Sequence, residues 1–333
     1  MTRRALPGLT AALVLGLTGC ADPAASAPGP GGDAVTVVSC GQELRFAAPP
    51  ERVVALDQSS TETLLELGLV DRMVGTANVK TKVAPEYAED YAKVPVLAPK
   101  NATSEQVLAA TPDFVVASFK AQYTADRSGT RGELAELGLP SLVSATDCPE
   151  QNPADMTPFD LLFSDYEALG RIFGIEERAA ALIAEQRAVV TAAAETGAAV
   201  SGKPTILWLY STFNGTPYVA GGIGVPSEMS GLVGAENAFD DVAESWPEVS
   251  WERIAERDPD VIVVGDLSER GAPGDSADEK IAMMRAHPAM SQLTAVRENR
   301  IIRVPGIEMD PSVRSVNTLG LVAKGMRDLG YAR

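Results

Sequence analysis

The feature that most restricts this chain is an internal repeat. The segment TSEQVLAATPDFVV, starting at Thr103, and the segment SWERIAERDPDVIVV, starting at Ser250, match at one constant offset that pairs Glu105 with Glu252, Val107 with Ile254, Pro112 with Pro259 and Asp113 with Asp260. In each copy a hydroxyl residue can cap a short helix, the glutamate falls at the second helical position, and a Pro-Asp turn delivers the chain into a strand. A chain carrying this unit twice is expected to fold as two similar lobes. Around the copies, short apolar runs alternate with helical periodicity, the pattern of α/β layers. RVVAL (52–56), FVVAS (114–118), TILWLY (205–210), VIVVG (261–265) and IIRVP (301–305) read as buried strands. In the helix TETLLELG, Ser59 and Glu62 have capping-box spacing and Gly68 offers a stop.

Between the copies runs the longest helical stretch, Glu176 to about Thr196, with Leu182, Ile183, Gln186, Val189, Val190 and Ala193 keeping one face mostly apolar. It continues from a shorter helix containing Tyr166, Leu169 and Ile172. A long helix is a stiff connector, so the lobes should be held at a nearly fixed angle with a cleft between them and no large hinge closure. The expected fold class is α/β: two similar Rossmann-like lobes, 35–163 and 201–333, joined through connector helices at 164–200.

Arg3 and Arg4 precede an apolar run, Leu6 to Leu17, that is too short for a permanent membrane span and reads as a secretion signal. The following LTGC resembles the lipobox of bacterial lipoproteins, which implies that Cys20 is lipidated and becomes the mature amino terminus. A plain secretory signal cut near Ala21 is the alternative. The Ala, Pro, Gly and Ser residues of 21–34 then form a disordered tether, and the protein sits on the extracytoplasmic face of the membrane, held by its lipid alone. With Cys20 so assigned, Cys40 and Cys148 are an even pair in an oxidising compartment, and a disulfide between them is expected; two free buried thiols are the alternative.

The net charge of −17 argues against nucleic acid or an anionic surface as the main partner. There is one histidine, His287, in the polar setting RAHPAM, and no nucleophile elbow. Neither a hydrolytic triad nor an imidazole-based metal site is supported, so no catalytic residue, metal or cofactor is expected. The glycines of AGGIGVPSEM (220–229) lack the third glycine and acidic partner of a dinucleotide site and read as a loop beside a cleft.

Taken together, the lipobox, PPERVVALDQSSTETLLELGLVDRMVG, the repeated S/T-x-E unit, SWPEVSWERI and the connector helix resemble the substrate-binding lipoproteins of ABC importers for ferric siderophores and vitamin B12. The resemblance covers nearly the whole mature chain and extends to actinobacterial members linked to import of a deazaflavin precursor. It implies a class III periplasmic-binding-protein fold, a monomeric binding protein that is not an enzyme, and partners consisting of a permease dimer with its cytoplasmic ATPase. It also implies that Glu105 and Glu252 dock onto arginine pockets of that permease. A carboxylate in the first turn of a helix is well suited to this, since the backbone dipole keeps it ionised.

A cleft between α/β lobes is lined by loops at the carboxyl ends of strands. Position therefore nominates Ser59 and Ser60 after RVVAL, Lys120 and Tyr123 after FVVAS, Tyr210 and Phe213 at the end of TILWLY, and Arg314 in EMDPSVRSV. Trp246 lies in a loop that matches a ligand-facing loop of the family. Lys120 and Arg314 would suit a ligand with negative charge. A ferric siderophore is the expected ligand, because its chelator already satisfies the iron; cobalamin, haem and the deazaflavin precursor are alternatives. Two readings of another class are a ligand-sensing lipoprotein and an extracytoplasmic redox enzyme on the same frame. The latter would need cluster-ligating cysteines beyond Cys40 and Cys148.

Overall fold

Each expected strand run forms a strand, and each sheet takes its order from the crossovers between them. The computed structural model describes residue 2 and residues 34–332. Cys20, nearly all of the signal segment, and the tether as far as Asp33 lie outside the described residues. The chain enters through a hairpin, β1 (Val35–Ser39) and β2 (Gln42–Phe46). The first sheet is wholly parallel and has five strands, β3 (Val53–Ala55), β4 (Met73–Ala77), β5 (Val96–Ala98), β6 (Phe114–Ala117) and β7 (Ser141–Val143), in the order β5-β4-β3-β6-β7. The second contains β8 (Thr205–Phe213), β9 (Thr216–Val219), β10 (Glu236–Asn237), β11 (Val261–Asp266) and β12 (Ile301–Pro305). Its order is β10-β8-β11-β12, with β9 added antiparallel to β8. In both sheets the strand order reverses about an inner pair, β3/β6 and β8/β11, and ligands of open α/β sheets bind outside such switch points.

The repeat owes its form to matching hydrogen bonds. Thr103 caps the helix Ser104–Ala109 and Ser250 caps Trp251–Arg257, with Glu105 and Glu252 at the second position of each. The Asp113 carboxylate then accepts the backbone N–H groups of Glu51 and Arg52 at 2.8 and 2.9 Å, and Asp260 accepts that of Thr205 at 2.9 Å. Each aspartate thus ties the strand it introduces to the neighbouring inner strand. Such charge-assisted bonds are stronger than neutral ones, which explains why both copies use Asp rather than another turn former.

The connector differs from expectation at its start. Its first helix begins at Pro158, not 164, because Thr157 caps it in a capping box with Asp160 and proline fits the first helical turn. It runs to Phe173 and is followed by Glu176–Ala198, whose buried side chains are Ala179, Leu182, Ile183, Gln186 and Ala193. One continuous apolar cluster passes from Val53 and Phe114 of the first sheet through Phe159, Phe163, Tyr166 and Leu182 to Ile206, Trp208 and Val261 of the second. Opening the lobes would break that packing, in which each large side chain contributes about 1.5–3 kcal/mol. The connector is also bonded to each lobe. Buried Asp165 accepts Ser144 Oγ and the Ala145 N–H, while Gln186 Nε2 donates to the Val313 carbonyl at 3.0 Å. Burial pushes the Asp165 carboxyl up to about 7.

Cys40 and Cys148 are joined, with their Cα atoms 5.7 Å apart and a sequence separation of 108. The bridge fastens the β1–β2 hairpin to the turn after β7. No helix among the described residues is long and apolar enough to cross a membrane.

Candidate ligand-binding site

Loops leaving the two switch points face each other across a cleft of about 480 Å³. From the first lobe it receives Lys80 after β4, Phe119, Gln122 and Arg127 after β6, and Asp147 after β7. From the second it receives Tyr210, Ser211 and Phe213 at the end of β8, Tyr218 on β9, Trp246, Arg270 after β11 and Asp310 after β12. The Tyr210 and Trp246 rings lie 4.6 Å apart, tilted by 33°, and form a platform in the second-lobe wall. Sequence position had nominated Tyr210, Phe213 and Trp246, and the fold brings the three together.

Several contacts hold the platform. The β8–β9 register shifts between Leu209 and Ser211, an irregularity that re-aims the strand at Tyr210. The Tyr210 hydroxyl donates to Asp310 Oδ2 at 3.1 Å. Beneath it the wholly buried Lys280 donates to the carbonyls of Tyr210, Gly265 and Asp275, joining the ends of β8 and β11 to the loop that carries Arg270. Burial lowers this lysine to about 8. The glycines of AGGIG serve the Trp246 loop: a Cβ at Gly221 would meet the Glu244 carbonyl at 2.2 Å, and one at Gly222 the Asp240 carbonyl at 2.1 Å. Only glycine allows the two backbones to lie in contact there.

Four nominated residues stand elsewhere. Ser59 and Ser60 are buried in the helix Gln58–Glu66, outside the cleft wall. The helix starts directly after β3, and its cap is Asp57, paired in a capping box with Ser60, so the Ser59–Glu62 spacing is not the cap. Asp57 Oδ2 also accepts the Ser118 N–H at 2.7 Å, closing the first switch point from below. Tyr123 belongs to the first-lobe core, where its hydroxyl donates to the carbonyls of Val115 and Leu142. Arg314 has its charge already met: it donates to Glu308 Oε1 at 2.9 and 3.1 Å and to Glu62 Oε1 at 3.3 Å, linking the two lobes beside a separate hollow. Burial disfavours its charge, but the two carboxylates outweigh that and leave its pKa raised.

Lys120 is exposed, 3.6 Å from Glu150, and lines a smaller hollow of about 350 Å³ that shares Asp147 and Trp246 with the cleft. Lys80, Phe119, Arg127, Tyr218 and Arg270 were not nominated. Lys80 follows β4, a strand absent from the sequence reading, and Arg270 lies in the loop after β11, whose path is set by bonds of Leu267, Arg270 and Lys280 to Asp275. Asp310 is buried; burial pushes its carboxyl up, and Lys80 at 3.6 Å opposes that shift.

Glu105 and Glu252 are both exposed, and both carboxyls are held below the usual range. The Thr103 hydroxyl and its own N–H lower Glu105; its own N–H and the Ser250 hydroxyl lower Glu252. His287, the one histidine, lies 3.4 Å from Glu252 with its ring near Trp251. The described residues contain no group of three or more His, Cys, Asp or Glu that could hold a metal.

Two α/β lobes fixed by connector helices about an aromatic, polar-rimmed cleft define a receptor for a small solute. The chain belongs to the periplasmic binding protein family, whose model matches residues 53–307. It is therefore a solute-binding protein and not an enzyme. It is similar to the vitamin B12-binding protein of Yersinia pseudotuberculosis, 30% identical over 222 residues that cover 66% of this chain and 70% of the relative. Among solved structures it resembles a periplasmic binding protein from Veillonella parvula, with a TM-score of 0.76, 25% identity, and coverage of 89% of this chain and 98% of the other. It also resembles an ABC-type Fe3+-hydroxamate transport system protein from Saccharomonospora viridis, with a TM-score of 0.71, 28% identity, and coverage of 89% and 99%.

Proposed function

We propose that this protein is the extracytoplasmic binding component of an ABC importer, anchored through lipidated Cys20, that captures a ferric siderophore between its lobes and delivers it to a permease dimer through Glu105 and Glu252. The observation that carries the ligand reading is the Tyr210–Trp246 platform opposite Phe119, with Lys80, Arg127 and Arg270 around it. An iron chelate presents flat organic faces and polar edges, and its iron is already saturated, so aromatic walls with rim donors suffice to hold it. The likeness to the Saccharomonospora protein, whose description is of Fe3+-hydroxamate transport, supports this reading. Cobalamin is the second reading, favoured by the likeness to the Yersinia vitamin B12-binding protein.

The docking role is supported by the equivalent, ionised and exposed placement of the two glutamates. The ligand reading is tested by tryptophan-fluorescence titration of a chain starting at Asp22 with ferric trihydroxamate, ferric tricatecholate, ferric citrate, haem, cobalamin and a deazaflavin precursor. Saturable quenching by a ferric chelate, lost in Trp246→Phe, is the expected result. Binding of cobalamin, haem or the deazaflavin with silence from every iron chelate would overturn the iron reading.

A further inference from the structure

The cleft and the hollow beside it are lined by four cations, Lys80, Lys120, Arg127 and Arg270, and by four carboxylates, Asp147, Glu150, Glu244 and Asp310. Charge of one sign would be expected to dominate a site built for a strongly charged ligand; here the signs cancel. Nor are most of the cations free. Lys80 and Lys120 each have a carboxylate at 3.6 Å, Asp310 and Glu150 respectively. Arg270 forks onto both oxygens of buried Asp275 through Nε and a terminal nitrogen, and also donates to Ser211 Oγ at 3.1 Å. Arg127 donates to the Ala121 carbonyl at 2.6 Å. An anionic group approaching Lys80 would also approach Asp310, which is buried and fixed by the Tyr210 hydroxyl, so it cannot swing away.

From this balance we infer, resting on the solute-receptor reading above, that the cleft selects a ligand of little or no net charge and rejects polyanions. Among iron chelates the rule separates two chemistries. Three hydroxamate monoanions neutralise ferric iron, whereas three catecholate dianions leave a trianion. A neutral chelate can stack on the Tyr210–Trp246 platform and accept hydrogen bonds from Lys80 and Arg270 without displacing their partners. A trianion brings repulsion from Asp310, Asp147 and Glu150, most costly at Asp310, which is buried.

The test compares the full mature chain with Asp147→Asn/Asp310→Asn, near-isosteric changes that leave an acceptor for the Lys120 N–H and the Tyr210 hydroxyl. Each is titrated with a neutral ferric trihydroxamate and with ferric tricatecholate, at low and at physiological salt, after circular dichroism has established that the variant is folded. The single variant Asp147→Asn, at a less buried site, serves if the double variant does not fold. The parent should bind the trihydroxamate at least roughly tenfold more tightly, and the variant should gain roughly tenfold for the tricatecholate in a manner that fades with added salt. Equal or tighter binding of the tricatecholate by the parent would overturn the charge rule while leaving iron capture intact. So would a folded variant that keeps trihydroxamate binding and shows no gain. Binding of neutral cyanocobalamin with silence from both iron chelates would overturn the iron reading and support the charge rule. Preferential binding of haem, with its two carboxylates, would overturn both.

Discussion

The two lobes begin alike and end differently. At the amino ends of the inner strands both carry a hydroxyl cap, a glutamate in the first helical turn and an aspartate that ties the introduced strand to its inner neighbour. At the carboxyl ends the likeness is gone. The first lobe offers Lys80, Phe119 and Asp147 on short turns and is fastened by the Cys40–Cys148 bridge. The second extends β8 into a hairpin, stacks Tyr210 on Trp246 and braces the loop carrying Arg270 with buried Lys280. The repeated ends keep a common scaffold and a common outward surface, while the divergent ends make the cleft asymmetric.

The sharpest challenge to the shared ends is Glu105→Lys combined with Glu252→Lys. Uptake by whole cells should fall to background while ligand affinity of the purified protein stays unchanged; normal transport would end the docking role. Each single reversal should impair uptake similarly if the lobes dock as equivalents. The divergence in fastening is tested by Cys40→Ser/Cys148→Ser, which should lower stability to urea by about 4–5 kcal/mol in the chain-entropy account of a loop this long. The second lobe has no such bridge to lose, so hydrogen exchange should rise mainly in the first.

Arg314→Ala removes the ion pair that spans the lobes and leaves Glu62 and Glu308 facing one another in a buried site. Denaturant unfolding should show a loss of about 3–5 kcal/mol. Combining it with Glu62→Gln and Glu308→Gln should restore much of that, which a purely steric role for Arg314 would not allow.

The connector's bonds to the two lobes differ in a way that pH exposes. Asp165 carries a carboxyl raised from 3.8 to about 7 in the folded state. The native protein therefore binds the proton that the unfolded chain has released, and this contribution is full below about pH 4 and lost as pH rises to about 7. Asp165→Asn should flatten the decline, seen as a smaller difference between urea midpoints at pH 5 and pH 8. The Gln186 bond to the second lobe does not titrate, so Gln186→Leu should leave the slope as it was. The smallest expected effect is at the platform, where Trp246→Ala should weaken ligand binding by about 1–2 kcal/mol, read by calorimetry because the reporter ring is gone.

Five strands (β3, β6, β8, β11 and β12), the long connector helix, both helix caps of the repeat and the disulfide partners were legible because each follows from local pattern or composition: apolar runs, helical period, a hydroxyl before a helix, an even pair of cysteines. Cleft residues were legible only where strand-end position and aromatic type coincided, as for Tyr210, Phe213 and Trp246. Arg314 has the right charge in the right loop, yet its partners Glu62 and Glu308 come from different lobes, and nothing local foretells the pairing. Tyr123 likewise follows a strand, but a one-turn change of path sends it into the core.

By itself, then, the sequence determined two α/β lobes on a common plan, their stiff connection and the surface glutamates at matching helix starts, because periodicity and capping act within a few residues. Tertiary structure decided which charges are spent inside the protein and which face the solute. Lys80 with Asp310 and Arg314 with Glu62 are encounters between segments of different lobes that meet only when the lobes are packed, and the bonds of Arg270 to Asp275 and of Arg314 to Glu308 are set by how their loops fold back. Electrostatics inside a cleft depends on distances of a few ångströms between such loops, and those distances exist only in the folded chain.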